Sequence, residues 1–115
     1  MLSFAELFRK YRLKSEFETL CAFGKALADE GRIYEDTTFT HWQNGKRIPK
    51  DRALLLAIIK IFIQRRGITS RDGANEFLAS TGLGYLTKNE EQQLFKENTK
   101  NSTQKFDKKW EYAKI

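Results

Sequence analysis

Asp36-Thr-Thr-Phe-Thr-His-Trp-Gln-Asn-Gly-Lys-Arg-Ile-Pro49 is the stretch of this 115-residue chain that most constrains its fold. Phe39 and Trp42 are three residues apart, so they share one face of a short helix and indicate that this face is buried. The polar residues between them are left on the opposite face. Asn44-Gly45 predicts the end of the helix, and Pro49 excludes helix in the loop that follows.

Two helices are predicted before this stretch. The first runs from Phe4 to Leu13, with Arg12 among the residues on its solvent side and an apolar stripe formed by Phe4, Leu7, Phe8 and Tyr11. Ser15-Glu16-Phe17-Glu18 is a capping-box pattern, so the second helix is expected to open at Ser15. The apolar face of this helix includes Cys21. Gly24 is expected to allow close approach of another helix, and Gly31 is expected to cap the end of the helix. Asp36 or Thr37 is expected to cap the third helix.

Three further helices are predicted after the stretch. The fourth spans Lys50 to Arg66, the fifth begins after a Ser70 cap, and the sixth runs from the capping box of Thr87 and Glu90 to about Glu97. Without strand signals, the fold class is all-α, a bundle of five to six helices. The expected organisation is a core over residues 1–66, a two-helix extension over 67–97, and a linker with a basic aromatic tail over 98–115.

Composition restricts the chemistry that the chain can perform. There are 21 Lys and Arg against 15 Asp and Glu, a net charge of +6, and four of the bases fall within residues 46–52. One Cys and one His exclude an internal disulfide and most zinc and catalytic constellations. The longest apolar run, from Ala53 to Ile63, is shorter than the ~20 residues of a membrane span, and the first residues do not form a signal peptide. A cytoplasmic protein is expected, with no membrane association.

The third helix has the properties that insertion into a DNA major groove requires. Phe39 and Trp42 anchor its inner face, its outer face carries short hydrogen-bonding side chains, and basic residues follow it at once. The predicted DNA-binding residues are Asp36, Thr37, Thr38, Thr40, His41, Gln43, Asn44, Lys46, Arg47 and Lys50. Backbone amides at Ser15 or Glu16 are expected to meet a phosphate.

The segment from Phe39 to Pro49 resembles the end of the recognition helix in the Cro/lambda-repressor-like helix-turn-helix family, also called the XRE family. The family's Trp-x-x-Gly-x-Arg-x-Pro spacing is matched by Trp42, Gly45, Arg47 and Pro49. The resemblance covers residues 3–66, and residues 67–97 resemble a two-helix extension found in some bacterial members. Gln43 stands where the family has an acidic residue, and the turn over residues 31–36 is longer than usual. The resemblance implies a lambda-repressor-like fold and a homodimeric transcriptional regulator that binds double-stranded DNA without a cofactor.

Other functions stay open at this point. A protein-interaction or signalling adaptor is compatible with the same fold, and so is an antitoxin or phage-type repressor. An enzyme is not expected, because the chain lacks a glycine-rich phosphate loop, metal-ligand spacings and a nucleophile motif. No metal site is expected. The aromatic residues Phe106, Trp110 and Tyr112 are expected to dock either on their own domain or on a protein partner.

Overall fold

Helices joined by short loops make up the whole of the part described by the computed structural model, which covers residues 2–102 with side chains as far as Phe95. They are α1 (Phe4–Lys14), α2 (Leu20–Asp29), α3 (Asp36–Gln43), α4 (Arg52–Gln64), α5 (Arg71–Ala79) and α6 (Lys88–Ser102). Because residues 2–102 contain no strand, the predicted all-α class is confirmed. Within these residues, no helix combines the length and the apolar character needed to cross a membrane.

The second helix begins later than its sequence pattern predicts. Ser15 ends α1, where its N–H donates to the Tyr11 carbonyl at 2.9 Å, and Glu16 has a positive φ of 67°. The N-cap of α2 is Thr19, whose hydroxyl accepts from the Ala22 N–H at 3.0 Å. The predicted capping box at Ser15 is therefore wrong. The expectation that the backbone amides of Ser15 or Glu16 meet a phosphate is also wrong, because both amides donate to carbonyls of α1. The turn lets Phe17 enter the core, where it is 1% exposed.

The face of α2 that meets the core also differs from the prediction. Phe23 and Leu27 are fully buried, whereas Cys21 is exposed and was wrongly assigned to the apolar face. The error follows from the misplaced helix start, because a helix that opened at Ser15 would contain Phe17 and put Cys21 on the same face, whereas Phe17 lies outside α2. The close approach at Gly24 is confirmed, since a Cβ there would lie 2.9 Å from the Phe39 ring.

Aromatic rings join the first four helices into one core. Phe8 of α1 packs edge-to-face on Phe23 and Trp42, with ring centroids 5.2 and 5.9 Å apart. Phe23 in turn contacts Phe39 of α3 at 5.5 Å and Phe62 of α4 at 5.7 Å. Such contacts contribute about 0.5–1.5 kcal/mol each beyond simple burial, so these rings hold α3 in a defined orientation.

The fourth helix is shorter than predicted at both ends. It starts at Arg52, because Asp51 is its N-cap and accepts from the Leu54 N–H at 3.3 Å. At the other end Arg66 takes the left-handed conformation with φ 64°. Gly67 is required for a different reason, since a Cβ at that position would lie 1.9 Å from the Ser15 hydroxyl. The α1–α2 turn and the end of α4 therefore pack directly against each other.

Two helix starts in the second half of the chain agree with the sequence. Ser70 caps α5 by accepting from the Gly73 N–H at 3.1 Å, and Thr87 forms the predicted box with Glu90. The helix after Thr87 continues to Ser102, so the linker expected from residue 98 is wrong for residues 98–102. No Gly or Pro follows Gly84 to stop it. Residues 103–115, with their three aromatic residues, lie outside the described residues.

Arg52 joins the second half of the chain to α4. Its guanidinium donates to both carboxylate oxygens of Glu90, at 2.8 and 2.7 Å, and to the carbonyls of Leu83 and Tyr85, each at 2.8 Å. The hydrogen bonds from Arg52 lower the pKa of Glu90 to about 2. This bidentate ion pair holds α6 and the loop before it against α4.

We expect Glu90→Gln to lower the free energy of unfolding by about 1–2 kcal/mol at neutral pH, because it removes a charge-assisted pair. A carboxyl with a lowered pKa in the folded state stabilises above its unfolded pKa and loses this effect as pH falls towards the folded value. The difference between variant and parent should therefore shrink by about pH 3 in urea titrations. Glu91→Gln is the matched control.

Glu91 also forms an ion pair, with Arg71 at 2.9 Å, but the Arg71 side chain is 61% exposed. Exposed pairs contribute little, so the control should lose less than about 0.5 kcal/mol. Equal losses in the two variants would show that the Arg52–Glu90 pair does not hold α6 against α4.

Candidate nucleic-acid interface

Helix α3 presents a polar stripe on the side opposite its buried anchors. Phe39 and Trp42 are 1% and 4% exposed and fix the inner face. Positions separated by three and four residues share a helix face, and the outward stripe formed this way contains Thr37, Thr40, His41 and Asn44. All four were predicted as site residues. Three of them are exposed and His41 is half-buried.

The chain folds back over the end of α3 and brings two cations to it. The backbone N–H groups of Lys46 and Arg47 both donate to the His41 carbonyl, at 2.9 and 3.2 Å. The Asn44 side chain accepts from the Lys46 N–H at 3.3 Å and so helps to form this turn. Both basic side chains are exposed, and within the described residues neither makes a hydrogen bond or ion pair. They are free to meet an anion.

Gln43 differs from the residues of the polar stripe, because its half-buried side chain is hydrogen-bonded to α1. Its amide oxygen accepts from Arg12 at 2.9 Å, and the same guanidinium donates to the Phe17 carbonyl at 2.6 Å. Arg12 is 5% exposed, so its assignment to the solvent side of α1 is wrong. Burial, together with the charge of nearby Arg9, lowers the pKa of Arg12. Gln43 thus ties α3 to α1.

Lys50 is a second predicted residue whose side chain is already bonded elsewhere in the protein. Its ammonium donates to the backbone carbonyl of Thr81, which joins the loop after α3 to the end of α5. Arg52, in the same basic cluster, is bound to Glu90. Of the four bases in residues 46–52, only Lys46 and Arg47 therefore remain available beside α3.

The first turn of α3 is acidic and lacks the side-chain cap that was predicted. The N-cap position is Glu35, with no side-chain capping bond, so the assignment of this role to Asp36 or Thr37 is wrong. Both carboxylates are exposed at the positive end of the helix dipole, where negative charge is favoured. Thr38 is half-buried and lies to the side of the stripe.

Arg9 is a candidate residue that sequence reasoning missed. It is exposed on α1, one turn after Ala5, which lies beside Gly45 at the end of α3. It is also three residues before Arg12, which bonds Gln43, so Arg9 lies on the side of α1 that faces the end of α3. The spacing of Ala5, Arg9 and Arg12 places them on one face of α1, but this points to a role beside α3 only when the packing of α1 against α3 is known.

A cleft of about 460 Å³ runs between α3 and the loop that precedes α4. It is lined by Thr38, His41 and Arg47 among others, and also by Tyr34, whose ring centroid lies 6.0 Å from that of Trp42. Ile33, in the loop before α3, is 83% exposed. Two apolar residues of the loop before α3 are thus solvent-accessible, and one of them, Tyr34, borders the cleft.

Within the described residues, no group of three or more His, Cys, Asp and Glu side chains is placed to hold a metal ion. The arrangement offers instead hydroxyl, imidazole and amide groups on a convex helix with cations at one end, which suits binding of an extended anionic surface.

We expect Gln43→Glu to raise the free energy of unfolding by about 1 kcal/mol at pH 7, because it supplies a negative partner to a buried guanidinium that has only neutral acceptors. The gain should shrink as pH falls below the ordinary glutamate pKa of about 4.3 and be lost by about pH 3, because pairing with Arg12 lowers the folded-state pKa of the new carboxyl. Gln43→Ala should be destabilising at both pH values. Urea titrations test this, and a loss of stability in Gln43→Glu at pH 7 would contradict it.

Comparisons with protein-family models, with curated proteins and with solved structures found no match for this chain. The resemblance of residues 3–66 to the Cro/lambda-repressor-like family therefore stays a prediction. The candidate interface consists of an anchored helix, an outward polar stripe and free cations at its end.

Proposed function

We propose that this chain is a sequence-specific double-stranded DNA-binding protein that acts as a transcriptional regulator. The observation that carries the proposal is the polar stripe of α3, which stands opposite two buried aromatic anchors and ends beside free cations. A B-DNA major groove is about 12 Å wide and admits one α-helix with its side chains. In this proposal α3 enters the groove, and DNA binding is the whole activity, without catalysis.

The stripe has side chains suited to base edges. Threonine methyl groups contact thymine, threonine hydroxyls both donate and accept, and the Asn44 amide and His41 imidazole offer further donors and acceptors. The Thr40 hydroxyl donates to the Asp36 carbonyl at 3.2 Å, which leaves its lone pairs and methyl group for the groove. Because Phe39 and Trp42 fix the helix, these groups approach the bases in one orientation.

Phosphate contacts are assigned to the cations beside the stripe. Lys46 and Arg47 follow α3 directly, and Arg9 approaches from α1. Side chains of this type set the register and orientation of a protein on the duplex. A homodimer is part of the proposal, since two copies would read half-sites one helical turn of about 10 base pairs apart, or a multiple of it.

Arg47→Ala should weaken binding to duplex DNA and reduce the slope of log K against log salt by about one unit, since one phosphate contact is lost. Lys88→Ala removes the same charge at the start of α6 and is the matched control. It should leave the slope unchanged. Fluorescence anisotropy with a labelled duplex, titrated over a range of salt concentrations, measures both.

Two results would overturn the proposal. One is the absence of any duplex binding at low salt, about 50 mM, where phosphate contacts are strongest. The other is an equal change of slope in both variants, which would show that the protein responds only to total charge. Selection of bound sequences from a random pool of duplexes then distinguishes sequence-specific binding from nonspecific electrostatic binding.

A second candidate function is a protein-interaction module that uses the same face. The observation that favours it is the first turn of α3, where Glu35 and Asp36 expose carboxylates beside the 83% exposed Ile33. Carboxylates repel phosphates, and an exposed isoleucine suits a protein surface. A basic partner with an apolar anchor would fit this end of the helix.

Asp36→Asn distinguishes the two functions. If α3 enters DNA, loss of this charge should raise nonspecific duplex affinity by about two- to fivefold at moderate salt, because one repulsive contact with phosphate is removed. Asp72→Asn, on α5, is the matched control and should change affinity little. An Asp36→Asn variant with unchanged affinity would place DNA away from the first turn of α3 and favour the protein-interaction module.

A further inference from the structure

A second concave surface lies along α5, with a cavity volume of about 460 Å³. This α5 groove is lined by Leu2, Asp72, Asn75, Glu76, Ala79, Ser80 and Tyr85. Two apolar side chains in it are exposed, Leu2 by 38% and Tyr85 by 68%. None of the lining residues is basic, although the chain carries a net charge of +6.

The α5 groove holds two carboxylates with little local compensation. Asp72 is exposed and, within the described residues, makes no ion pair. Glu76 accepts a hydrogen bond from the Tyr11 hydroxyl at 3.1 Å, a neutral partner. Burial, followed by this bond to Glu76, raises the pKa of Tyr11 to about 12, so the phenol stays a donor. The groove therefore favours an occupant that combines cations with apolar side chains.

We propose that the occupant is the C-terminal segment of the same chain, residues 103–115. This segment contains four lysines, at 105, 108, 109 and 114, against two acidic residues, Asp107 and Glu111. Phe106, Trp110 and Tyr112 are interleaved with those lysines. In this proposal the aromatic rings pack on the exposed side chains of Leu2 and Tyr85, and the lysines pair with the carboxylates of Asp72 and Glu76.

The length of the segment permits this contact within one chain. The 15 residues of α6 begin three positions after Tyr85. A helix of that length measures about 22 Å, and the three preceding residues add at most about 10 Å. The 13 residues after Ser102 can extend to about 43 Å, so the segment can return along α6 to the groove. No residue of α3 takes part in this contact, so the docking is independent of DNA binding.

Disulfide trapping in the full-length chain tests this docking. The background is Cys21→Ser, which removes the native thiol, with Ala79→Cys in the groove and Ala113→Cys in the segment. Ala22→Cys, at an exposed position of α2, replaces Ala79→Cys in the control pair. Docking should make the groove pair oxidise about tenfold faster than the control pair, because it raises the local concentration of one thiol at the other.

Added substitutions test the chemistry of recognition. Asp72→Lys should slow trapping by about threefold through charge repulsion, and Trp110→Ala should slow it similarly through loss of apolar contact. Trp110→Ala changes the segment alone, so it leaves the described helices intact even if a groove variant is poorly folded. Non-reducing electrophoresis and mass spectrometry report whether the crosslink joins one chain or two.

The trapping experiment has four possible outcomes. Fast trapping within single chains, slowed by both substitutions, supports the proposal. Equal rates for the groove and control pairs overturn it. Trapping mainly between chains also overturns it, since the groove would then hold the segment of a second copy. Fast trapping that neither substitution slows would show proximity without recognition and would likewise reject the proposal.

Discussion

The contact between the Phe39 ring and Gly24 is the constraint on which the rest of this structure depends. A Cβ at position 24 would lie 2.9 Å from that ring, so α2 and α3 can approach this closely only with glycine there. The approach lets Phe39 reach Phe23, which also contacts Phe8, Phe17 and Phe62. The direction of the outer face of α3 follows from this packing, because the helix cannot rotate without breaking it.

Local patterns predicted much of the fold. The spacing of Phe39 and Trp42, the close approach at Gly24, and the helix starts at Ser70 and Thr87 each depend on residues a few positions apart. The start of α2 could not be predicted in this way. A capping box at Ser15 is locally sound, but tertiary packing buries Ser15 beside Gly67 and uses the turn to place Phe17 in the core.

The candidate site was less predictable, because nearness along the chain does not fix what a side chain binds. Lys50 and Arg52 belong to the same basic cluster as Lys46 and Arg47, yet their partners lie about thirty residues further on. Gln43 was predicted to face DNA, but its side chain accepts a hydrogen bond from Arg12, which lies 31 residues earlier in the sequence. Arg9 was missed for the same reason: its relevance requires the packing of α1 against α3.

The partners of Arg52 also order the events of protein synthesis. Leu83, Tyr85 and Glu90 lie 31 to 38 residues downstream. A chain is synthesised at about 5–20 residues per second, so these acceptors are made about 1–5 seconds after α4 is complete. The aromatic residues of α1 to α4 are all present during that interval. Packing of α6 and of the loop before it against α4 is then a late step in folding, because the acceptors of Arg52 do not exist until those residues are made.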